Sequence, residues 1–192
     1  MSGQVVRGRW LSGGARFLRA HYPMETSERL LGNVQKALRV PLLDLDPVQW
    51  FPRTHHVELM RAIATVRGDE PAVYEDFIAY GRFMAAEMTS GSLKQFMQVA
   101  TLKLFAKKLP NLWSLEHQDD GRLESDIAQL EEACLPLRLS GSHGYDHVGV
   151  VTFGWVAGAL AALGQKNVVL KQGGWSLKQA APSEMTCEVR WS

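Results

Sequence analysis

The sequence predicts an α+β fold: an N-terminal half of five helices packed on a four-stranded antiparallel sheet, with a central helix between the two strand pairs (ββαββ). Three observations predict it. Apolar residues recur at three- and four-residue steps through the first 110 positions. The last segment, Met185, Cys187, Val189 and Trp191 against Glu184, Thr186, Glu188 and Arg190, alternates with a period of two. Between these patterns lies Val148 to Leu163, an uncharged run of about 16 residues, short of the ~20 that span a bilayer and therefore a buried helix.

The helices follow in order. Val5 to Ala20 carries Trp10, Phe17 and Leu18 and stops at Pro23. Thr26 or Ser27 caps a second helix, which ends near Val40-Pro41. Pro52 occupies a first-turn position before the stripe of Val57, Met60, Ile63 and Ala64, closed by Gly68. Pro71 opens a long helix with Val73, Phe77, Tyr80, Met84, Ala85 and Met88 on one face. Gly91-Ser92 opens the fifth, with Leu93, Phe96, Met97, Ala100, Leu104 and Phe105, and Pro110 is expected to end it.

The second half changes period. Gly121 to Leu130 and Ala133 to Leu139 read as two short strands. The Val148–Leu163 helix takes Asp146 as N-cap and Gly164 as C-cap, and Asn167 to Lys171 pairs with the last strand. With 192 residues, 46% apolar and 21% charged, one domain over 1–192 is expected, mainly helical over 1–112 and ββαββ over 113–192.

A net charge of +1 lacks the concentrated positive field of a nucleic-acid binder, and no membrane insertion is expected. No secretory pattern opens the chain, and Cys134 and Cys187 lack C-x-x-C spacing, so a cytoplasmic setting with two buried thiols is expected. Gly13-Gly14 and Gly173-Gly174 lack the Walker and Rossmann spacings.

The densest polar cluster is Ser140-Gly-Ser-His-Gly-Tyr-Asp-His147. His143 and His147 are four apart, yet Gly141 and Gly144 place His143 in a turn, and no third metal ligand stands at a recognisable spacing. No metal site is expected. His143, Tyr145 and His147 are better read as the polar mouth of a pocket, ahead of a small enzyme using His143, Asp146 and His147. His55-His56 at a helix start read as neutral hydrogen-bonding groups. Of the six tryptophans several follow turn signals, as Trp50 and Trp113 do, either as pins holding helices to the sheet or as pocket walls. Gly154 and Gly158, with Ala157 and Ala161, form a small-residue stripe suited to close packing within the fold or to a dimer face.

Several segments carry a resemblance: Arg7-Gly8, DPVQWFP (46–52), KLPNLW (108–113) followed by Asp120-Gly-Arg-Leu, GWVAGALAALG (154–164) and C-E-V-R-W (187–191). Together they resemble a paralogous family of uncharacterised proteins of roughly this length known mainly from myxobacteria. The C-terminal pattern is also similar to 4-vinyl reductase domains, TRAPP vesicle-tethering core subunits and haem–nitric oxide/oxygen-binding domains. That resemblance implies the NO signalling/Golgi transport ligand-binding fold, with a pocket between helices and sheet.

The haem-binding branch takes its axial histidine from the helix before the sheet, here Ser92 to Leu109, which contains none. Its Tyr-x-Ser-x-Arg clamp is absent, because none of Tyr22, Tyr74, Tyr80 and Tyr145 begins such a triplet. No cofactor is therefore expected, haem included. Of the paired cysteines that 4-vinyl reductase domains carry around the last hairpin, only Cys187 matches.

The function expected is non-enzymatic: a small-molecule-sensing or scaffold domain, dimeric, holding a small apolar ligand or a protein partner. The other reading is an interaction module with a filled core. Candidate pocket residues, by identity on inward helical faces, are Tyr80, Met84, Phe96, Met97, Trp113 and Trp155.

Overall fold

The computed structural model describes residues 3–141, 146–172 and 184–192, without the side chain of Asp146. In chain order the elements are β1 (Val5–Arg7), α1 (Gly8–His21), α2 (Met24–Leu38), β2 (Trp50–Pro52), α3 (Arg53–Arg67), α4 (Glu70–Ser90), α5 (Lys94–Val99), α6 (Leu102–Glu116), β3 (His117–Gln118), β4 (Arg122–Ser125), β5 (Cys134–Ser140), α7 (Asp146–Ala162), β6 (Val169–Gln172) and β7 (Glu184–Arg190).

The class is α+β, and two sheets are present. The larger is antiparallel in the order β4-β5-β7-β6, with Leu137 opposite Cys187 and Leu170 opposite Val189. Its alternation buries Leu135, Leu137, Leu139, Met185, Cys187 and Val189 on one face and leaves Arg138, Glu184 and Thr186 outside. The smaller sheet, β2-β1-β3, was not expected. Val6 sits opposite both Phe51 and His117, so three strand-like ends are tied at one point.

Four expectations about the helices need correction, the first being that α2 starts at Met24 after Pro23, with Thr26 and Ser27 inside it rather than capping it. Residues 5–7 are a strand: Arg7 is extended (φ −65°, ψ 142°), and a side chain at Gly8 would strike the Asp46 carbonyl. The predicted fifth helix is two helices, so six precede the larger sheet. The chain is extended at Ala100, and Thr101 starts α6 by accepting from the Leu104 amide at 3.2 Å. Pro110 does not end α6, which runs on to Glu116.

Helix α7 is apolar on all sides because it is buried on all sides, between α4 and the larger sheet. Its small-residue stripe makes this approach achievable. A Cβ on Gly154 would lie 2.6 Å from the Ile78 carbonyl oxygen, and one on Gly158 would lie 2.7 Å from the Ala85 Cβ. Gly154 and Gly158 of the stripe thus pack on α4, while Ala161 is exposed. Gly164 (φ +91°) closes α7 with its amide on Ala161 and the Gln165 amide on Leu160 (3.0 and 3.1 Å), a Schellman pair.

Candidate functional site

The site grows from the continuation of α6 past Pro110. His117 caps the helix, its amide bonding the Trp113 carbonyl, and then joins β3 opposite Val6. Its side chain turns inward, buried, and stacks on Trp113 with ring centroids 3.7 Å apart. Trp10 of α1 crosses over it, 5.4 Å from His117 and 5.7 Å from His56 of α3.

A second polar chain lies behind Trp10. The Tyr80 hydroxyl donates to the Trp10 carbonyl and stands 3.1 Å from His56 Nε2. Since that hydroxyl proton is engaged, His56 Nε2 carries the hydrogen and donates to the Tyr80 oxygen. Burial, reinforced by Arg53, lowers the His56 pKa to about 3. Burial likewise holds His117 well below the ordinary histidine range, with His56 and Arg53 adding to it. Both imidazoles are neutral near pH 7.

Two ion pairs flank these rings. Arg53 meets Asp120 at 2.7 Å with both side chains buried, and Arg9 lies 3.4 Å from Glu116. Burial pushes the Glu116 carboxyl up to about 7, against the opposing pull of Arg9 and Arg7.

Between Trp10, Trp113, His117 and Trp155 lies a cavity of about 30 Å³, which takes roughly two water molecules. Met88 and Leu123 supply apolar wall, and Leu93 and Leu115 form the rim, where Leu115 is 59% exposed. Buried polar atoms of the lining lack partners of normal geometry: the indole nitrogens of Trp113 and Trp155 make no hydrogen bond, and of the two ring nitrogens of His117 one lies towards the Trp113 carbonyl. The Trp10 indole nitrogen also lacks a partner of normal geometry, and lies towards the Glu116 carboxyl. Native interiors rarely leave such groups unpaired, so their concentration around one cavity marks it.

Of the residues proposed from sequence, Trp113 and Trp155 line this cavity. Tyr80 and Met84 are buried deeper, among α1, α3 and α4, and are core. Phe96 and Met97 of α5 are partly buried against the core and do not reach the cavity. Among the polar-mouth residues, His143 and Tyr145 lie outside the described residues. His147 packs 5.0 Å from the Phe77 ring, away from the cavity, and burial lowers its pKa to about 4.

Sequence reasoning missed Trp10, Glu116 and His117. Trp10 was in view as one of the six tryptophans, whereas His117 was hidden by ending α6 at Pro110.

A larger hollow, about 920 Å³, lies open on the outer face of the larger sheet. On it Arg138 bonds Glu124 at 2.7 Å and approaches Glu184 at 3.5 Å, and among its lining residues the Gln172 side-chain nitrogen is buried without a partner. Among the described residues no three His, Cys, Asp or Glu side chains group as a metal site, and no helix is long and apolar enough to cross a membrane.

No protein-family model and no curated protein matches the chain. Solved structures do. An H-NOX protein from S. oneidensis in the Fe(II) ligation state is similar with a TM-score of 0.70 at 11% identity, over 97% of this chain and 96% of that one. An oxygen-binding H-NOX domain related to soluble guanylate cyclases gives 0.63 at 10% identity, over 96% and 94%. A variant of the Cs H-NOX protein gives 0.65 at 10% identity, over 96% of both chains. The chain shares the H-NOX fold across nearly its whole length. This likeness establishes the fold relationship with haem–nitric oxide/oxygen-binding domains and not membership of the myxobacterial family.

The expectation that haem is absent is overturned by these neighbours, one of which is described through haem distortion in the H-NOX family. One of the two grounds for the exclusion was a helix ended too early; the other, the missing Tyr-x-Ser-x-Arg clamp, is unchanged. The helix before the larger sheet reaches Glu116, and a buried, neutral histidine follows it. A neutral imidazole is the form that binds a metal. The cavity beside it is far below the roughly 300 Å³ at which pockets for drug-sized ligands begin, so a porphyrin enters only with Trp113 and Trp155 moved apart.

Proposed function

We propose that this chain is a non-enzymatic small-molecule-sensing domain whose sensing site is the cavity between α1, α6 and α7. One observation carries the reading: buried nitrogens of His117, Trp113 and Trp155 without partners of normal geometry gather around one cavity. The H-NOX fold supports it, because the solved neighbours include an oxygen-binding domain. The elements at the site also suit a sensor. Trp10, Trp113 with His117, and Trp155 come from α1, α6 and α7, so occupancy bears on three helices together. Nothing in the lining pairs a nucleophile with a base, which supports binding over catalysis.

The test is native mass spectrometry of the chain isolated from its own cells, with an absorption spectrum of the same sample. The expected result is a mass above the 21.4 kDa chain that is lost in Trp155→Ala. A visible band travelling with that mass would identify the ligand as haem, and a mass without one would identify a smaller molecule. A bare chain, combined with tryptophan emission that no added small molecule alters, would overturn the reading.

A further inference from the structure

The lining of the cavity specifies what it holds, provided that the cavity is the sensing site proposed above. Indole nitrogens only donate, and a neutral histidine donates from one nitrogen and accepts at the other. The indoles of Trp113 and Trp155 therefore offer two unpartnered donors, while His117, one of whose nitrogens lies towards the Trp113 carbonyl, keeps one acceptor and the Glu116 carboxyl is faced by Arg9 and Trp10. Each donor left unmade carries the desolvation cost of a buried polar group, so the occupant that relieves most of them is rich in acceptors.

Charge narrows the class. The two guanidinium groups nearest the rings are paired, Arg53 with Asp120 and Arg9 with Glu116. Each of these guanidinium groups is already faced by a carboxyl group. Met88 and Leu123 make part of the wall apolar, where an unpaired ion would be costly. Size sets the remaining limit. About 30 Å³ suits very few heavy atoms, and the mouth can widen because Leu115 is exposed and α5 beside it has no buried residue.

We infer that the ligand of this cavity is a small uncharged molecule with a hydrogen-bond-accepting oxygen, which it presents to the indole N–H groups of Trp113 and Trp155. Its short apolar body lies against Met88 and Leu123.

Four probes of nearly equal shape test this on the full chain: acetone, isobutene, acetate and acetamidinium. The readout is the set of indole N–H signals in a proton–nitrogen correlation spectrum. Acetone is expected to move the Trp113 and Trp155 signals downfield and leave those of Trp50 and Trp191 in place. Its affinity should exceed that of isobutene by about tenfold, the worth of one well-made hydrogen bond. Trp113→Phe keeps the ring and removes the donor, so it should lose that factor for acetone and leave isobutene unchanged. Trp155→Phe gives the same comparison if the first variant does not fold.

Equal binding of isobutene, or tighter binding of either ion, would overturn the ligand class while the site stands. A visible haem band tied to His117 would overturn it in the same way. Signals that no probe moves would overturn the site itself.

Discussion

The hydroxyl of Ser125 on β4 donates to the carbonyl oxygen of Ala106 on α6 at 2.7 Å. In an unbroken helix that carbonyl would accept the amide of residue 110, which is proline and has no N–H. A side chain from the sheet thus makes the bond that the helix cannot. It lets α6 pass Pro110 and bring Trp113, Glu116 and His117 to the cavity.

Ser125→Ala should therefore strand a buried carbonyl and cost about 1–3 kcal/mol. In the Pro110→Ala background the helix regains its own donor, and the same substitution should cost less than half as much. Urea unfolding of the four proteins gives the coupling. Equal costs in both backgrounds would show that the two residues act independently.

The approach of α4 to α7 depends on glycine. A Cβ on Gly81 would fall on the Val151 carbonyl oxygen and 2.6 Å from the Trp155 amide nitrogen, both backbone atoms that cannot swing aside. Gly81→Ala should destabilise the chain by about 3 kcal/mol or more, at the severe end of overpacking. Gly32, whose Cβ would meet nothing within 4 Å, is the control. Gly32→Ala should stabilise α2 by up to about 1 kcal/mol in the same unfolding assay.

Acid should destabilise the protein before its carboxylates protonate. His56, His117 and His147 all have folded pKa values below the ordinary 6.5. Below pH 6.5 the unfolded chain takes up protons that the folded chain refuses, so stability falls as pH drops. Glu116 runs the other way: raised from 4.5 to about 7, it holds a proton when folded that it loses when unfolded, so its contribution is lost as pH rises towards 7. With His55, which burial also lowers, four groups stand against one, a net of about two to three protons, or about 3–4 kcal/mol per pH unit at the steepest. Chemical denaturation at about pH 5 and about pH 6.5 measures the slope, and a flat profile contradicts it. Glu116→Gln should be more stable than the parent above pH 7 and match it near pH 5.

The buried pair of Arg53 and Asp120 should be costly to break and cheap to replace. Asp120→Ala leaves a guanidinium in the interior and should cost about 3–5 kcal/mol. Replacing both by apolar residues of similar volume should recover most of that, as read from thermal midpoints. If the double variant is no more stable than the single one, the pair holds the local geometry of β3 and α3 in a way that packing cannot.

Much of the architecture was legible in the residues. The alternation ending at Val189 gave a strand with one wet face, because a pleated strand turns successive side chains to opposite sides. The Val148–Leu163 run gave a buried helix, because no face of it could meet water without cost. Gly164 marked where that helix stops. Boundaries set by long-range contacts were not legible. Val5–Arg7 has the composition of a helix start and becomes a strand because the chain at Phe51 and His117 comes alongside.

The candidate site divides along the same line. By itself the sequence determined that Trp113 and Trp155 would face inward, since large aromatics on apolar stripes are buried wherever the stripe is covered. It could not determine whether the stripe closes over a filled core or a cavity, because both need the same apolar pattern. Tertiary structure alone decided that α6 survives Pro110, through a hydroxyl 15 positions further along the chain in Ser125. It also decided that Trp113 and Trp155, from α6 and α7, leave unpaired indole nitrogens around one small space. The physical reason is that a hydrogen bond is satisfied or orphaned by whatever atom arrives in space, and spacing along the chain does not record which atom that is.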